Sequence, residues 1–474
     1  MNLTTDVLVI GAGPAGYVGA IKLGKLGKKV VLVEGDKLGG ECLNYGCIPS
    51  KALINAGWLY HRAAKGLQPG VDGGSVTSDL GRLQAWKSGL LGAMAKNIGS
   101  LAKANGVEAL SGKASFTGPN EARVVSASGE STVRFTNALI ATGTRPASLP
   151  CLPFDGAWCL TNREALELAA PPPTLLVVGA GAIGLELGTF YAKLGSKVTV
   201  VEFMPQILPG MEADAAGVIA RNLARLGVEV LVGSKAKSVL AAAGPGTARR
   251  VLVETPEGEK TVEAHQAIVS VGRVPVTEGL GLEAAGVKTD AKGHIAVDAT
   301  LATSCRHIYA AGDVARPPYL AHKASAEALA AAYAIAGASA PDLGLIPMAV
   351  FTDPEAASVG ESEAAAKSRG AEVLTGKFPF SASGRAQTMR ETDGFVKVVA
   401  DKATHKLLGA SMVGPHACEL ISEACLGLRL GARLEDVAHT MHPHPTLPEA
   451  FMEACEAALG QAIHLLPPRT AKPG

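Results

Sequence analysis

The residue types best suited to chemistry are a cysteine pair, Cys42 and Cys47, in the stretch Gly39-Gly40-Glu41-Cys42-Leu43-Asn44-Tyr45-Gly46-Cys47-Ile48-Pro49-Ser50-Lys51. Four residues separate them, in a Gly-rich turn that runs into a helix. Such a pair can be two buried thiols, half of a metal site, or a disulfide that cycles between oxidised and reduced. Metal motifs add a second ligand pair at defined spacing, and none stands at such spacing here. Flanking glycines and a following helix favour a reactive, low-pKa thiol near a helix start. Cys151, Cys159, Cys305, Cys418, Cys425 and Cys455 read as inert core thiols. A second candidate group is His442-Pro443-His444-Pro445-Thr446-Leu447-Pro448-Glu449. Histidine moves protons near neutral pH, and a carboxylate can orient its ring and stabilise the imidazolium. The same run also suits an exposed His-Pro turn, and a metal would need further ligands that no neighbouring cluster supplies.

The elements that must position these groups are legible as a repeat. Asp6 to Ile10 reads as a buried parallel strand, followed by Gly11-Ala12-Gly13-Pro14-Ala15-Gly16 opening a helix. In such a G-x-G-x-x-G turn Gly11 permits the tight turn, Gly13 lets a pyrophosphate approach the backbone, and Gly16 lets helix and strand pack closely. The helix start presents free N–H groups to phosphate. A second strand, Lys29 to Val33, ends in Glu34, placed to bond a ribose. The unit recurs at Thr174 to Val178, Gly179-Ala180-Gly181-Ala182-Ile183-Gly184 and Lys197 to Glu202. Gly179 stands 168 residues after Gly11, as do Gly184 after Gly16 and Glu202 after Glu34. Two copies of one βαβ unit imply two dinucleotides. At the second, Glu202 can bond a ribose 2′-OH and repels a 2′-phosphate, and Phe203-Met204-Pro205 supplies no Arg, so NAD is favoured over NADP.

Composition narrows the function class. Net charge is +1 without a long basic run, and aromatics are 4%, which speaks against nucleic acid as partner. Apolar residues at 47% and charged residues at 18% suit large cores, and 474 residues give room for roughly three domains. No stretch has the ~18 or more uninterrupted apolar residues of a membrane span, and Met1 to Asp6 lacks the charged start of a signal peptide. A protein of the cytoplasm is expected, where eight cysteines are not a disulfide framework. Residues 56–106 are expected to be mainly helical, and 107–133 short strands and turns. Residues 231–269 are read as strand and turn with a hairpin near Gly244-Pro245-Gly246. Antiparallel strands are expected at Phe395 to Ala400 and Lys406 to Val413, with helices from His416.

The stretch Gly39 to Leu53, with its Cys-Leu-Asn-x-Gly-Cys-Ile-Pro-Ser-Lys form, resembles the active-site signature of the flavin-linked disulfide oxidoreductases (class I). Within them it is most similar to the dihydrolipoyl dehydrogenases. The resemblance runs over essentially the whole chain and implies an α/β fold with two Rossmann-like domains, for FAD and NAD, and a C-terminal α+β dimerisation domain. The implied boundaries are 1–147 and 273–345 for FAD, 148–272 for NAD and 346–474 for the interface. Cys42 would then be the thiol that exchanges with substrate and Cys47 the thiol against the flavin. Lys51 would lie near the flavin, paired with Glu186. Ala114, in Gly112 to Gly118, would touch the adenine side of FAD. Thr142 and Gly143 would mark the crossing between domains and Gly272 the return, in Val271-Gly272-Arg273-Val274-Pro275. Asp313 would bind the ribityl hydroxyls, with Ile183 and Ala321 as further cofactor contacts. His322, which follows Ala321 into an Ala-rich helix, gets no catalytic role. The His-Pro-Thr-Leu-x-Glu run implies His444 as acid/base, oriented by Glu449, reaching the disulfide of the other subunit of a homodimer. Two departures are Glu41, where many members carry a small or hydroxyl residue, and Pro448 in place of the usual Ser.

The implied activity is oxidation of protein-bound dihydrolipoamide to lipoamide, with one non-covalent FAD per subunit and NAD as acceptor. The implied partner is a lipoyl-bearing carrier protein of a 2-oxo acid dehydrogenase or glycine cleavage complex. The alternatives are a related FAD disulfide reductase, a mercuric reductase, or a non-catalytic FAD- and NAD-binding regulator. Leu465 to Gly474 lack the cysteine pair expected for mercury transfer. Glu202 speaks against an NADPH-linked reductase, and the joint retention of cysteines, histidine and carboxylate against a regulator.

Overall fold

Strand Asn2–Ile10 is the spine of the first module, and its second half, Val7 to Ile10, is almost fully buried. A strand covered on both faces reads as a continuous apolar run and belongs at the centre of a parallel sheet. It pairs in parallel with Val30–Glu34 on one side and Gly129–Ile140 on the other. Val107–Ser111 adds outside the first, and Ile308–Ala310, from far down the chain, adds to the end of the second. The first half of Gly129–Ile140 instead carries an antiparallel extension, Glu121–Ser126 and Lys113–Gly118. Helices Pro14–Lys25 and Ala321–Ile335 pack together over one face through Leu23, Ala328 and Ala331. This computed structural model describes residues 2–66, 69–71, 74–240 and 246–466. The hairpin expected at Gly244-Pro245 and the chain from residue 467 lie outside the described residues.

The second module repeats the plan. Its parallel sheet runs in the order Glu229–Leu231, Lys197–Val201, Thr174–Val178, Gln266–Val269, Cys159–Leu160. Here the antiparallel meander Lys235–Leu240, Arg249–Thr255 and Gly258–Ala264 is a separate sheet. Strand Gly129–Ile140 runs into a short crossing strand, Thr144–Pro146, that leaves the first module, and Gln266–Val269 into Arg273–Pro275, which returns. These two pair antiparallel, Arg273 opposite Pro146.

The third module is a five-stranded antiparallel sheet in the order Met348–Val350, Glu355–Gly360, Leu407–Gly414, Phe395–Asp401, Val373–Pro379. Its alternation divides two cores. Val396, Val398 and Met412 pack under helices Ala417–Leu430 and Glu449–Ala458, whereas Phe395 and Val413 join the core of the second module. A polar knot reinforces that second contact. Glu212, capping helix Ala213–Arg225, takes hydrogen bonds from Lys397 (2.9 Å) and Ser411 Oγ (2.6 Å), and Lys397 also pairs with Glu363 at 2.9 Å.

The helical region differs in detail from the sequence reading. One helix spans Cys47–Lys65, closed by Gly66 at φ +58°, and a second spans Leu80–Ala104, capped by Asp79 on the Arg82 N–H. The helix therefore starts at the second cysteine itself rather than beyond it. Among the described residues no helix is long and apolar enough to cross a membrane, and no cluster of three or more His, Cys, Asp or Glu could hold a metal.

Candidate redox site

Cys42 lies in the one-and-a-half-turn helix Gly40–Tyr45, and Cys47 is the first residue of the long helix Cys47–Lys65. Gly46 breaks the two helices apart, bringing the Cα atoms to 4.7 Å, and the sulfurs are bonded. Gly39 and Gly40 both have left-handed backbones, and the Gly39 N–H donates to Ala12 O at 2.9 Å. A Cβ on Gly40 would stand 2.5 Å from Gly13 Cα, so only glycine lets the cysteine turn sit on the first Gly-rich turn. The long helix has no side-chain cap at its start. Its positive end thus favours a thiolate on Cys47 once the bond is opened. By contrast burial pushes the Cys159 thiol up to about 12 and raises those of Cys418 and Cys455. Those are inert.

The two Gly turns superpose in chemistry. Gly11 and Gly179 have φ +94° and +103°, and a Cβ on either would collide with a strand-end carbonyl, Ala141 O or Ser270 O. A Cβ on Gly16 or Gly184 would strike the carbonyl of Gly11 or Gly179. Glu34 takes the Ala12 and Asp36 N–H groups at 2.6 and 2.8 Å, and Glu202 takes those of Ala180 and Met204 at the same distances. Gly13 and Gly181 are different: a Cβ there would touch nothing nearer than 4 Å. Neither of the helices they cap has a side-chain cap. Free N–H groups, a positive helix end and a bare glycine facing open space fit a dinucleotide pyrophosphate at each turn. Ile183 and Phe203 are exposed beside the second turn.

The remaining positions fall as follows. Lys51 Nζ meets Glu186 Oε2 at 2.7 Å and lies 4.4 Å from the Phe351 ring centre, while Glu186 Oε1 takes the Phe351 N–H at 3.0 Å. Thr142 Oγ donates to Val276 O at 2.7 Å, which ties the outgoing crossing to the return. Gly143 (φ +70°) and Gly272 (φ +136°) turn the chain into the crossing strands. Ala114 is buried opposite Val124. Asp313 takes Thr144 Oγ at 3.1 Å; burial raises its carboxyl, opposed by Thr144, Arg273 and Lys323. Ala321 opens its helix, and His322 Nε2 donates to Pro347 O.

Sequence reading missed the residues that hold the Asp313 turn. Buried Glu327 accepts the Gly312 N–H at 2.8 Å and Arg316 Nε at 3.0 Å, while Lys323 Nζ donates to Arg316 O at 2.6 Å. The i,i+4 spacing of Lys323 and Glu327 was the available signal. Arg273, for which the sequence pattern implies no role, donates to Thr144 Oγ (2.8 Å) and Thr144 O (2.9 Å).

Glu41, the departure next to Cys42, is the hub of an ion cluster. Its carboxylate takes Arg163 Nε and Nη2 at 3.1 and 2.6 Å and Asn162 Nδ2 at 3.0 Å, and Arg273 Nη2 lies 3.2 Å away. Arg163 also stacks 4.0 Å from the centre of the Tyr45 ring. Asn162 and Arg163 belong to a short helix of the second module. Glu41 therefore joins the cysteine helix to that module, where a Thr or Ser would be too short to reach.

His444 Nδ1 faces Glu449 Oε1 at 2.8 Å, and Glu449 Oε2 takes the Thr446 N–H at 2.7 Å. Partial burial raises the Glu449 carboxyl, but the Thr446 N–H and the His444 ring outweigh it and hold the group below its usual range. The His444 side chain is 78% exposed, so Nε2 is presented outward. Pro448 stands at the N-cap of helix Glu449–Ala458, where it needs no N–H.

Comparison with known proteins agrees with this arrangement. Residues 5–328 match the family described as pyridine nucleotide-disulphide oxidoreductase, and residues 346–455 match the dimerisation domain of that family. The chain is 46% identical over 468 residues to the dihydrolipoyl dehydrogenase of Haloferax volcanii and 44% identical over 465 residues to that of Geobacillus stearothermophilus. Each alignment covers 98% of both chains. Among solved structures it is similar to LpdA from Mycobacterium tuberculosis, with TM-score 0.86 and 30% identity over 95% of this chain and 99% of that one. The flavoprotein disulfide reductase RclA from Escherichia coli shares the fold, with TM-score 0.84 and 24% identity over 95% and 99%. The chain belongs to the pyridine nucleotide-disulphide oxidoreductases and carries the dimerisation domain of that family.

Proposed function

We propose that the protein oxidises dihydrolipoamide on a carrier protein to lipoamide, with NAD as the final acceptor. The observation that carries this is the Cys42–Cys47 disulfide lying directly on the first nucleotide turn, with Cys47 at the head of an uncapped helix. The names of the relatives, at 44–46% identity over nearly whole chains, support the choice of dithiol. Two copies associate through the C-terminal domain, and His444 of one copy serves the disulfide of the other.

The residues act in a balanced two-electron sequence. His444 Nε2 takes a proton from one substrate thiol, and the resulting thiolate attacks Cys42 Sγ. The Cys42–Cys47 bond breaks and Cys47 leaves as a thiolate, held by the helix end. The second substrate thiol, deprotonated in turn, attacks the substrate sulfur bonded to Cys42; lipoamide leaves and Cys42 takes up a proton. Glu449 keeps Nδ1–H pointed at itself and stabilises the charged ring. FAD, for which Gly11, Gly13, Gly16, Glu34, Lys51, Ala114, Thr142, Gly143 and Asp313 form the site, supplies when bound a two-electron relay between the dithiol and NAD. NAD is held by Gly179, Gly181, Ile183, Gly184 and Glu202. The six remaining free thiols suit a reducing compartment, the cytoplasm.

The test is turnover of the purified protein with dihydrolipoamide and NAD, set beside glutathione disulfide, Hg²⁺ and NADPH. Rapid NADPH-dependent reduction of either alternative acceptor without dihydrolipoamide oxidation would overturn the substrate. His444→Gln should slow dithiol turnover far more than oxidation of NADH by a quinone. Equal losses would remove the proton-transfer role.

A further inference from the structure

The His-Pro-His run holds two histidines, and only one of them faces outward. The His442 side chain is buried, 5% exposed, with Nδ1 2.8 Å from Thr440 O and Nε2 2.9 Å from Glu423 Oε1. A carbonyl oxygen can only accept, so Nδ1 donates to Thr440 O, and Nε2 is engaged by the Glu423 carboxyl group. Both ring nitrogens thus have partners within the chain. Nothing remains with which it could take a proton from substrate.

Its two bonds differ in what they join. The Thr440 bond is local, two residues back along the loop. The Glu423 bond crosses to helix Ala417–Leu430, to which the loop makes no other hydrogen bond among the described residues. The loop's other anchors run to its flanks: Thr440 Oγ to Asp436 O, Thr446 Oγ to Pro443 O, and Thr446 N–H to Glu449. His444 is separated from His442 by Pro443 alone, and its bond to Glu449 orients the ring without fixing where the loop stands relative to the helix below.

We propose that His442 is a positioning residue: through Nε2 and Glu423 it braces the loop onto helix Ala417–Leu430 and so fixes the place at which His444 is presented. The inference rests on the proton-transfer reading of His444. Proton transfer to a placed base is steep in distance, and a displacement of about 1 Å can cost on the order of 100-fold in rate.

The two bonds can be separated by substitution. The amide nitrogen of Asn occupies the place of His Nδ1 and can restore only the Thr440 bond. The amide nitrogen of Gln occupies the place of Nε2 and can restore the Glu423 bond. His442→Ala and His442→Asn should lower kcat for dihydrolipoamide roughly 10- to 100-fold, with its KM within about 3-fold. His442→Gln should recover to within about 5-fold of the parent, because one charge-assisted bond is regained. Glu423→Ala should match His442→Ala, and the double variant should fall no further. NADH oxidation by a quinone, the flavin absorbance and the thermal midpoint serve as controls in every variant. Rescue by Asn rather than Gln, additive losses, or parallel loss in the quinone reaction would each overturn the brace. If His444→Gln leaves dithiol turnover intact, the functional reading itself fails. If His444→Gln abolishes turnover while His442→Ala does not lower it, only the brace fails.

Discussion

Gly181→Ala separates what the fold needs from what the nucleotide needs. Gly181 has φ −77° and ψ −177°, a backbone any residue adopts, and a Cβ there meets no protein atom within 4 Å. The fold should therefore tolerate it: the reduced entropy of the unfolded chain, about 0.4–1 kcal/mol in favour, is offset by the poorer fit of alanine at a helix N-cap. The added carbon instead occupies the space through which a pyrophosphate approaches the backbone. Overfilling a close contact costs roughly 1–3 kcal/mol, which is about 5- to 150-fold in affinity at 1.4 kcal/mol per tenfold. Gly184→Ala is the opposite case. Its Cβ would stand 2.1 Å from Gly179 O and 2.6 Å from Ser270 Oγ, so backbone must move. The assay pairs thermal denaturation with steady-state KM for NAD and with flavin bleaching by dithiol alone. Gly181→Ala should keep the thermal midpoint and the bleaching while KM for NAD rises. Gly184→Ala should lose thermal stability. An unchanged KM for NAD in a folded Gly181→Ala protein would refute the placement of the pyrophosphate at this turn.

Three further expectations can be checked separately. Cys47→Ser should leave a yellow, folded protein that binds NAD but does not oxidise dithiol, and undiminished turnover would remove the disulfide from the mechanism. Glu41→Gln and Arg163→Gln should each weaken the contact between the cysteine helix and the second module. Their coupling, from urea midpoints in a double-mutant cycle, should be about 0.2–1 kcal/mol because two Arg163 nitrogens share one Glu41 oxygen in a partly exposed pair; zero coupling would make the cluster incidental. Hydrogen bonds from Lys367 and then Lys397 hold the Glu363 carboxyl at about 2, below its ordinary 4.5. A depressed carboxyl contributes its stability above pH 4.5 and loses it as the pH falls toward 2. Denaturant midpoints should therefore drop more steeply over that window in the parent than in Glu363→Gln, and parallel curves would contradict the assignment.

The two glycine turns were legible in the sequence because their constraints are local. Gly11, Gly16, Gly179 and Gly184 are demanded by backbone contacts within one βαβ unit, and Glu34 and Glu202 by the N–H groups beside them. Such requirements repeat at a fixed offset whatever the rest of the chain does. The cysteine pair was equally visible, since a Cys-x4-Cys spacing around a helix break is a property of a few adjacent residues. Tertiary structure alone decided the pairings between distant elements. Thr144 with Asp313, and Glu41 with Arg163 and Arg273, depend on how modules dock, which no local pattern records; the Lys51–Glu186 pair, equally remote in sequence, was expected only through the family resemblance. The same holds for the two C-terminal histidines. Spacing presents His442 and His444 as equivalents, and only burial against helix Ala417–Leu430 makes one a satisfied anchor and leaves the other exposed with a nitrogen free for chemistry.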